Sequence, residues 1–243
     1  MCILAFLSCF FLIAKSQTIQ ITNCTDFQNI QNNLTADYII LNDIDCSNIS
    51  NFAPIGSNAF PFKGTLNGND RTIANITIEV LSAAVEVGIF GFLENANIIN
   101  IVLEDFSLVY SLDGSSKVGA LCGSISNSNV SNIRLRTSSY SKKNLLSLPN
   151  SISTVGSVIG MIDNSNVDNI TVENTQIIAH LGSPIGGLFG VVTTSASPIS
   201  NVTNCHNLGK FQCLLSFFFL LLFHIFYLFL IIFQDFLLMQ VKY

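Results

Sequence analysis

The chain repeats itself, and that limits its fold more than any other feature. Four blocks closing on glycine align: Val87-Gly-Ile-Phe-Gly91, Gly119-Ala-Leu-Cys-Gly123, Gly156-Ser-Val-Ile-Gly160 and Gly186-Gly-Leu-Phe-Gly190. Each precedes an asparagine-centred block: Ile98-Ile-Asn-Ile-Val-Leu103, Val130-Ser-Asn-Ile-Arg-Leu135, Val167-Asp-Asn-Ile-Thr-Val172 and Ile199-Ser-Asn-Val-Thr-Asn204. The closing glycines Gly91, Gly123, Gly160 and Gly190 are 32, 37 and 30 residues apart. A fainter earlier copy runs from Gly64-Thr-Leu-Asn-Gly68 to Asn75-Ile-Thr-Ile78. Periods of this size mark units that bury their apolar faces only by stacking on neighbours.

The spacing inside the second block carries geometry. Its first apolar residue and its later Ile/Leu pair have opposite parity, so a straight strand sends them to opposite faces. Burying both requires a bend, and the bend falls at Asn100, Asn132, Asn169 and Asn201. Asparagine tolerates left-handed backbone and suits such a corner, as glycine suits close approach. Strand, corner, strand and return loop, repeated, describe one coil of a parallel β-helix. The expected fold is therefore all-β, a parallel β-helix solenoid, with polar loops at 111–117, 138–154 and 180–184. The competing architecture, an antiparallel sandwich, needs a hairpin signal in every repeat; Asn67-Gly68 and Asp113-Gly114 do not supply one.

Composition agrees. Charged residues are 10% of 243, and polarity comes instead from 26 Asn and 27 Ser, which compete with the helical backbone. The net charge of −5 holds no basic run longer than Lys142-Lys143, so no nucleic-acid partner is expected.

Both ends are hydrophobic. Residues 1–16 read as a signal peptide, with an apolar core at Ile3–Ala14 and small residues at Ala14 and Ser16. Residues 17–210 form the repeat domain and 211–243 a hydrophobic tail. Leu214–Phe233 is long enough for a transmembrane helix, a possible single-pass anchor with the repeats outside. An equal competitor is a gene model reading through an intron: Asn204-Cys-His-Asn-Leu-Gly209 begins like another coil before the sequence turns abruptly to Phe and Leu.

A secreted chain permits disulfides. Of Cys24, Cys46, Cys122, Cys205 and Cys213, the pair Cys24–Cys46 is the candidate bridge. Cys122 shares a repeat position with Phe90, Ile159 and Phe189 and reads as a buried apolar residue. Seven Asn-x-Ser/Thr sequons occur. Asn75, Asn169 and Asn201 are assigned to an inward ladder of corner asparagines, which leaves Asn23, Asn33, Asn48 and Asn129 as glycosylation candidates. Asp43 and Asp45 could offer oxygens to Ca²⁺, but a solvated acidic edge is the favoured reading. No cysteine–histidine spacing, catalytic constellation or phosphate-binding loop is present, so neither metal nor cofactor is expected.

The stretches Tyr38-Ile-Ile-Leu-Asn-Asp-Ile-Asp-Cys46, Pro54-Ile-Gly56, Pro61-Phe-Lys-Gly-Thr-Leu-Asn-Gly68 and Arg71-Thr-Ile-Ala-Asn-Ile-Thr-Ile78 resemble the opening of GLUG-type repeat proteins. The later Gly-x-Leu-Phe-Gly blocks resemble the repeat itself, over roughly residues 37–210. Such proteins occur among bacterial adhesins and protist, ciliate-like, surface proteins. The resemblance implies a right-handed parallel β-helix, extracellular display and an adhesive or structural role towards an unidentified protein or glycan. It brings no catalytic residues. The alternative is a carbohydrate-active β-helix enzyme, a polysaccharide lyase or glycoside hydrolase. It is disfavoured because the slot Ile99, Ser131, Asp168, Ser200 carries no recurring acid.

Overall fold

The computed structural model describes residues 17–80, 86–110, 116–139, 144–148, 153–179, 183–193, 200–208 and 212–215. The chain is an all-β parallel solenoid of about four turns with very little helix. A lead-in segment comprises β1 (Ile19–Ile21), helix α1 (Cys24–Gln28), a 3-10 turn (Asn29–Asn32), β2 (Asp37–Ile40), β3 (Ile44–Asp45), β4 (Thr65–Ala74) and β5 (Thr77–Val80). Four coils follow. The first has β6 (Glu86–Val87), β7 (Phe90–Glu94), β8 (Asn97–Glu104) and β9 (Ser107–Tyr110). The second has β10 (Lys117–Val118), β11 (Cys122–Ser126), β12 (Asn129–Arg136) and β13 (Asn144–Leu148). The third has β14 (Thr154–Gly156), β15 (Ile159–Asp163), β16 (Asn166–Val172) and β17 (Thr175–Ala179). The fourth has β18 (Ile185–Gly186), β19 (Phe189–Thr193), β20 (Asn201–Thr203), β21 (His206–Asn207) and β22 (Gln212–Leu215).

Equivalent strands stack in parallel into four sheets, and the largest runs β1-β2-β4-β8-β12-β16-β20. Its register places Ile98, Val130, Val167 and Val202 in one row and Ile101, Ile133 and Ile170 in the next. All of these but Val202, which is partly buried, are at most 1% exposed. The opposite-parity residues are thus both inside, and the bend between them occurs at Asn100, Asn132 and Asn169, with φ of 59°, 56° and 53°. Two further corners use the same chemistry, at Asn95, Asn127 and Asn164 and at Asn75, Asp105 and Asn174, all with positive φ.

The repeat glycines answer a different need. A Cβ on Gly123 would stand 2.5 Å from the Val87 backbone nitrogen, and one on Gly160 2.5 Å from that of Val118. Gly91 and Gly190 meet carbonyl oxygens at the same distance. Each Gly therefore lets one strand pass another coil's backbone where no side chain fits. Cys122 stacks between Phe90 and Ile159 in the core and is fully buried, which raises its thiol pKa.

Serine fills corners that need a small hydrogen-bonding group. The buried Ser128 and Ser165 and the half-buried Ser200 accept, through their hydroxyls, from the backbone nitrogens of Ala96, Ser128 and Ser165 at 3.1, 3.1 and 3.3 Å. Ser153 and Ser183 repeat this device one corner away, accepting from Ser116 and Ser153.

The structure corrects three details. First, β20 pairs Asn201 with Asn166, and Asn204, with φ of 51°, takes the corner. Gly190 and Asn204 are fourteen residues apart where the other pairs are nine, so the fourth coil is longer than its alignment suggested. Second, Asn75 is equivalent to Asp105 and not to Asn100, since Ala74 pairs with Glu104. Third, the corner ladder does not face inward: Asn132 and Asn169 are exposed, and Asn100 is half-buried. The backbone bend aims the flanking apolar residues into the core and leaves the amide outside.

The segment expected to be a signal peptide, residues 1–16, lies outside the described residues, as does the candidate membrane helix from residue 216 onward. Leu214 and Leu215 belong to β22, which pairs with β17. Among the described residues no helix is long and apolar enough to cross a membrane.

Candidate functional site

The outer face of the large sheet carries a groove of about 540 Å³ over β4, β8, β12 and β16. Three arginines line it: Arg71 from β4, and Arg134 and Arg136 from β12. Register explains their meeting. Thr72, Val102, Arg134 and Thr171 form one outward row across four strands, and Ala74, Glu104 and Arg136 the next. Arg71 reaches the groove because β4 bulges: Asn67 pairs with Ile99 and Arg71 with Ile101, leaving extra residues at Gly68-Asn69-Asp70. Asn69 and Asp70 both adopt positive φ there, and a Cβ at Gly68 would collide with the Asn100 carbonyl. Bulges of this kind re-aim side chains.

The three cations differ. Arg136 is occupied: its Nε lies 2.8 Å from Glu104 Oε2, and its Nη2 donates to Thr72 Oγ1 at 3.4 Å. Arg71 and Arg134 are exposed and make no hydrogen bond or ion pair among the described residues. Two carboxylates lie at the β3–β4 end. Asp43 Oδ1 accepts from the Thr72 nitrogen at 2.9 Å, and Asp70 sits on the bulge.

Asn132 and Asn169 line the groove beside Arg134 and belong to a longer ladder of ordered amides. Asn100 Nδ2 donates to Asn67 Oδ1 at 3.2 Å, Asn132 to Asn100 at 2.8 Å and Asn169 to Asn132 at 2.9 Å. A second ladder runs along the preceding corner: Asn129 donates to Asn97, Asn166 to Asn129 and Asn201 to Asn166, at 2.8, 2.8 and 3.3 Å. A second shallow groove of about 510 Å³ flanks it. The motif Asn-Val/Ile-x-Asn at 97–100, 129–132 and 166–169 encodes both ladders, and its fourth copy at 201–204, whose Asn204 donates to Asp168, would have fixed the last register from sequence.

The glycosylation candidates have different surroundings. Asn33 and Asn48 are exposed, and their side-chain nitrogens make no hydrogen bond among the described residues. Asn23 is exposed but caps α1, accepting from the Asp26 nitrogen and donating to its carboxylate, both at 2.9 Å. Asn129 is a half-buried middle rung whose nitrogen is already committed to Asn97. Cys24 and Cys46 form a disulfide with Cα atoms 5.2 Å apart. Asp45 accepts from the Asn75 side chain and from Ser47, and these bonds lower its pKa. Among the described residues no group of three or more His, Cys, Asp or Glu could hold a metal ion.

A parallel β-solenoid displaying a polar sheet face is the class this architecture defines. No family profile matches the chain. It is 30% identical over 121 residues to a halomucin of Haloquadratum walsbyi, an alignment covering 44% of this chain and 1% of that protein. Among solved structures it is similar to a candidate immunoglobulin A1 protease of Bacteroides ovatus. That likeness has a TM-score of 0.42, 17% identity and coverage of 82% of this chain and 78% of the other.

Proposed function

We propose that the chain is an extracellular or cell-surface structural and adhesion module without catalytic activity, a right-handed solenoid of the GLUG-repeat type. The observation that carries this reading is the outer sheet face. Its side chains are held in register by amide ladders on a stacked scaffold, so a broad surface is presented without folding on contact. Parallel strand connections are right-handed in about 98% of cases, which supports the handedness. The likeness to a protein named as a mucin supports a surface setting. Free amide nitrogens at Asn33 and Asn48 make these the sequons we assign to glycans, ahead of Asn23 and Asn129.

One observation favours the enzymatic alternative: Asp43 and Asp70 share a groove with three arginines, the acid-and-base mixture a polysaccharide lyase needs. Against it, Asp43, Asp70, Arg71 and Arg134 are all exposed, whereas electrostatic catalysis gains its strength in water-excluded sites.

Beads coated with the folded protein test the two readings together. The expected result is adhesion to glycan-bearing cell surfaces, lost on denaturation, with no reducing ends or unsaturated products released from a polysaccharide panel. Product release abolished by Asp70→Asn would overturn the non-catalytic reading, and beads that never adhere would overturn adhesion.

A further inference from the structure

Resting on the adhesion reading, we propose that the groove over β4, β8, β12 and β16 is a binding site for an acidic polysaccharide. Its sugar carboxylate or sulfate groups engage Arg71 and Arg134, and its ring hydroxyls meet Asn132, Asn169 and Thr171.

Four observations point to this ligand. Arg71 and Arg134 are the groove's uncommitted cations, and a planar guanidinium forms paired hydrogen bonds with carboxylate and sulfate oxygens. They stand two strands apart, roughly 10 Å along the stack at the usual inter-strand spacing. That separation suits two anionic groups along an extended chain better than one small anion. Val102 of β8 lies between them, and beyond Arg134 lie the Asn132 and Asn169 amides and the Thr171 hydroxyl; the asparagines are pinned by their neighbours, so little side-chain freedom is lost on binding. The lining carries three arginines against two carboxylates, and with Arg136 paired to Glu104 the uncommitted positive charge rests on Arg71 and Arg134. Asp43 and Asp70 confine it to one end and direct a polyanion from Arg71 towards β16.

A peptide fits less well. Extended peptides bind sheets by adding to an edge, where backbone donors and acceptors are open. This groove lies on the face of the sheet, over strands whose backbones already pair on both sides. A polyol meets side chains there and needs no free backbone.

The test titrates the full chain with polygalacturonate, dextran sulfate, neutral dextran and poly-glutamate at low ionic strength. Retention of polygalacturonate or dextran sulfate but not dextran is expected, and the better of the two identifies the anionic group. Arg71→Gln and Arg134→Gln should each weaken binding at least tenfold, and Arg134→Lys should keep part of it. Lys63→Gln, which removes a cation paired with Glu94 away from this groove, should leave binding unchanged. Circular dichroism verifies that each variant is folded. Equal binding of neutral dextran, or arginine variants that bind like the parent, would overturn the assignment. Poly-glutamate bound as tightly and lost in the same variants would overturn the choice of a saccharide. Failure here with bead adhesion intact removes the groove and leaves the adhesive role standing.

Discussion

At the residue scale, asparagine and glycine do unlike work in one repeat. Asn132 holds a left-handed backbone and a rung of the ladder. Replacing it with glycine removes only the rung, so Asn132→Gly should cost about 1 kcal/mol. Asn132→Ala also places a Cβ in left-handed conformation, adding about 1–2 kcal/mol. Chemical denaturation should rank alanine below glycine; the reverse order would mean that the corner is not strained. Gly160 has no positive φ but no room, since an added Cβ meets the Val118 nitrogen at 2.5 Å and the Gly123 oxygen at 2.6 Å. Gly160→Ala should destabilise by about 1–3 kcal/mol. At Gly187 the nearest atom would be Asn207 Nδ2 at 3.3 Å, so Gly187→Ala should stay within about 0.5 kcal/mol of the parent in the same assay.

At the element scale, the join between the third and fourth coils depends on a carboxylate. The Thr203 hydroxyl and the Asn204 amide both donate to Asp168 from the neighbouring coil, and they hold its pKa below the ordinary 3.8. A depressed carboxylate stabilises the fold above its unfolded pKa, and the contribution is lost as pH falls through the folded value. Amide exchange at 201–207 should therefore report constant stability from neutral pH down to about 4 and faster opening below. Asp168→Asn should flatten that acid response; an unchanged response would place the sensitivity elsewhere.

For the molecule as a whole, the architecture was legible because corners need unusual backbone and only a few residue types supply it. The parity argument at Asn100, Asn132 and Asn169 located the bend from spacing alone. Spacing could not say which way the amide points, and it misplaced Asn201 because the fourth coil is longer. The groove was illegible for another reason. Arg71 and Arg134 are 63 residues apart and become neighbours only through two steps of parallel register plus a bulge, which no local pattern announces. The lead-in segment is stapled by Cys24–Cys46, closing 22 residues of chain. Replacing both with alanine should lower stability by about 3 kcal/mol in denaturant titrations. Loss of protection confined to residues 17–50 would show that the staple acts locally; uniform loss would show that the stack melts as one.

The amide ladders also give the rod a direction. In both, every nitrogen reaches back towards the earlier coil: Asn169 to Asn132 to Asn100 to Asn67, and Asn201 to Asn166 to Asn129 to Asn97. Among the described residues, one terminus of each line therefore has an amide oxygen with no donor and the other an NH₂ group with no acceptor, like the two poles of a magnet. The NH₂ end of each line lies inside the stack, with β1 and β2 beyond β4, and beyond Asn169 the Asn204 amide turns to Asp168 instead. A further coil stacked on β20 would extend the second line only by donating an N–H to the Asn201 oxygen, so the direction is set along the stack.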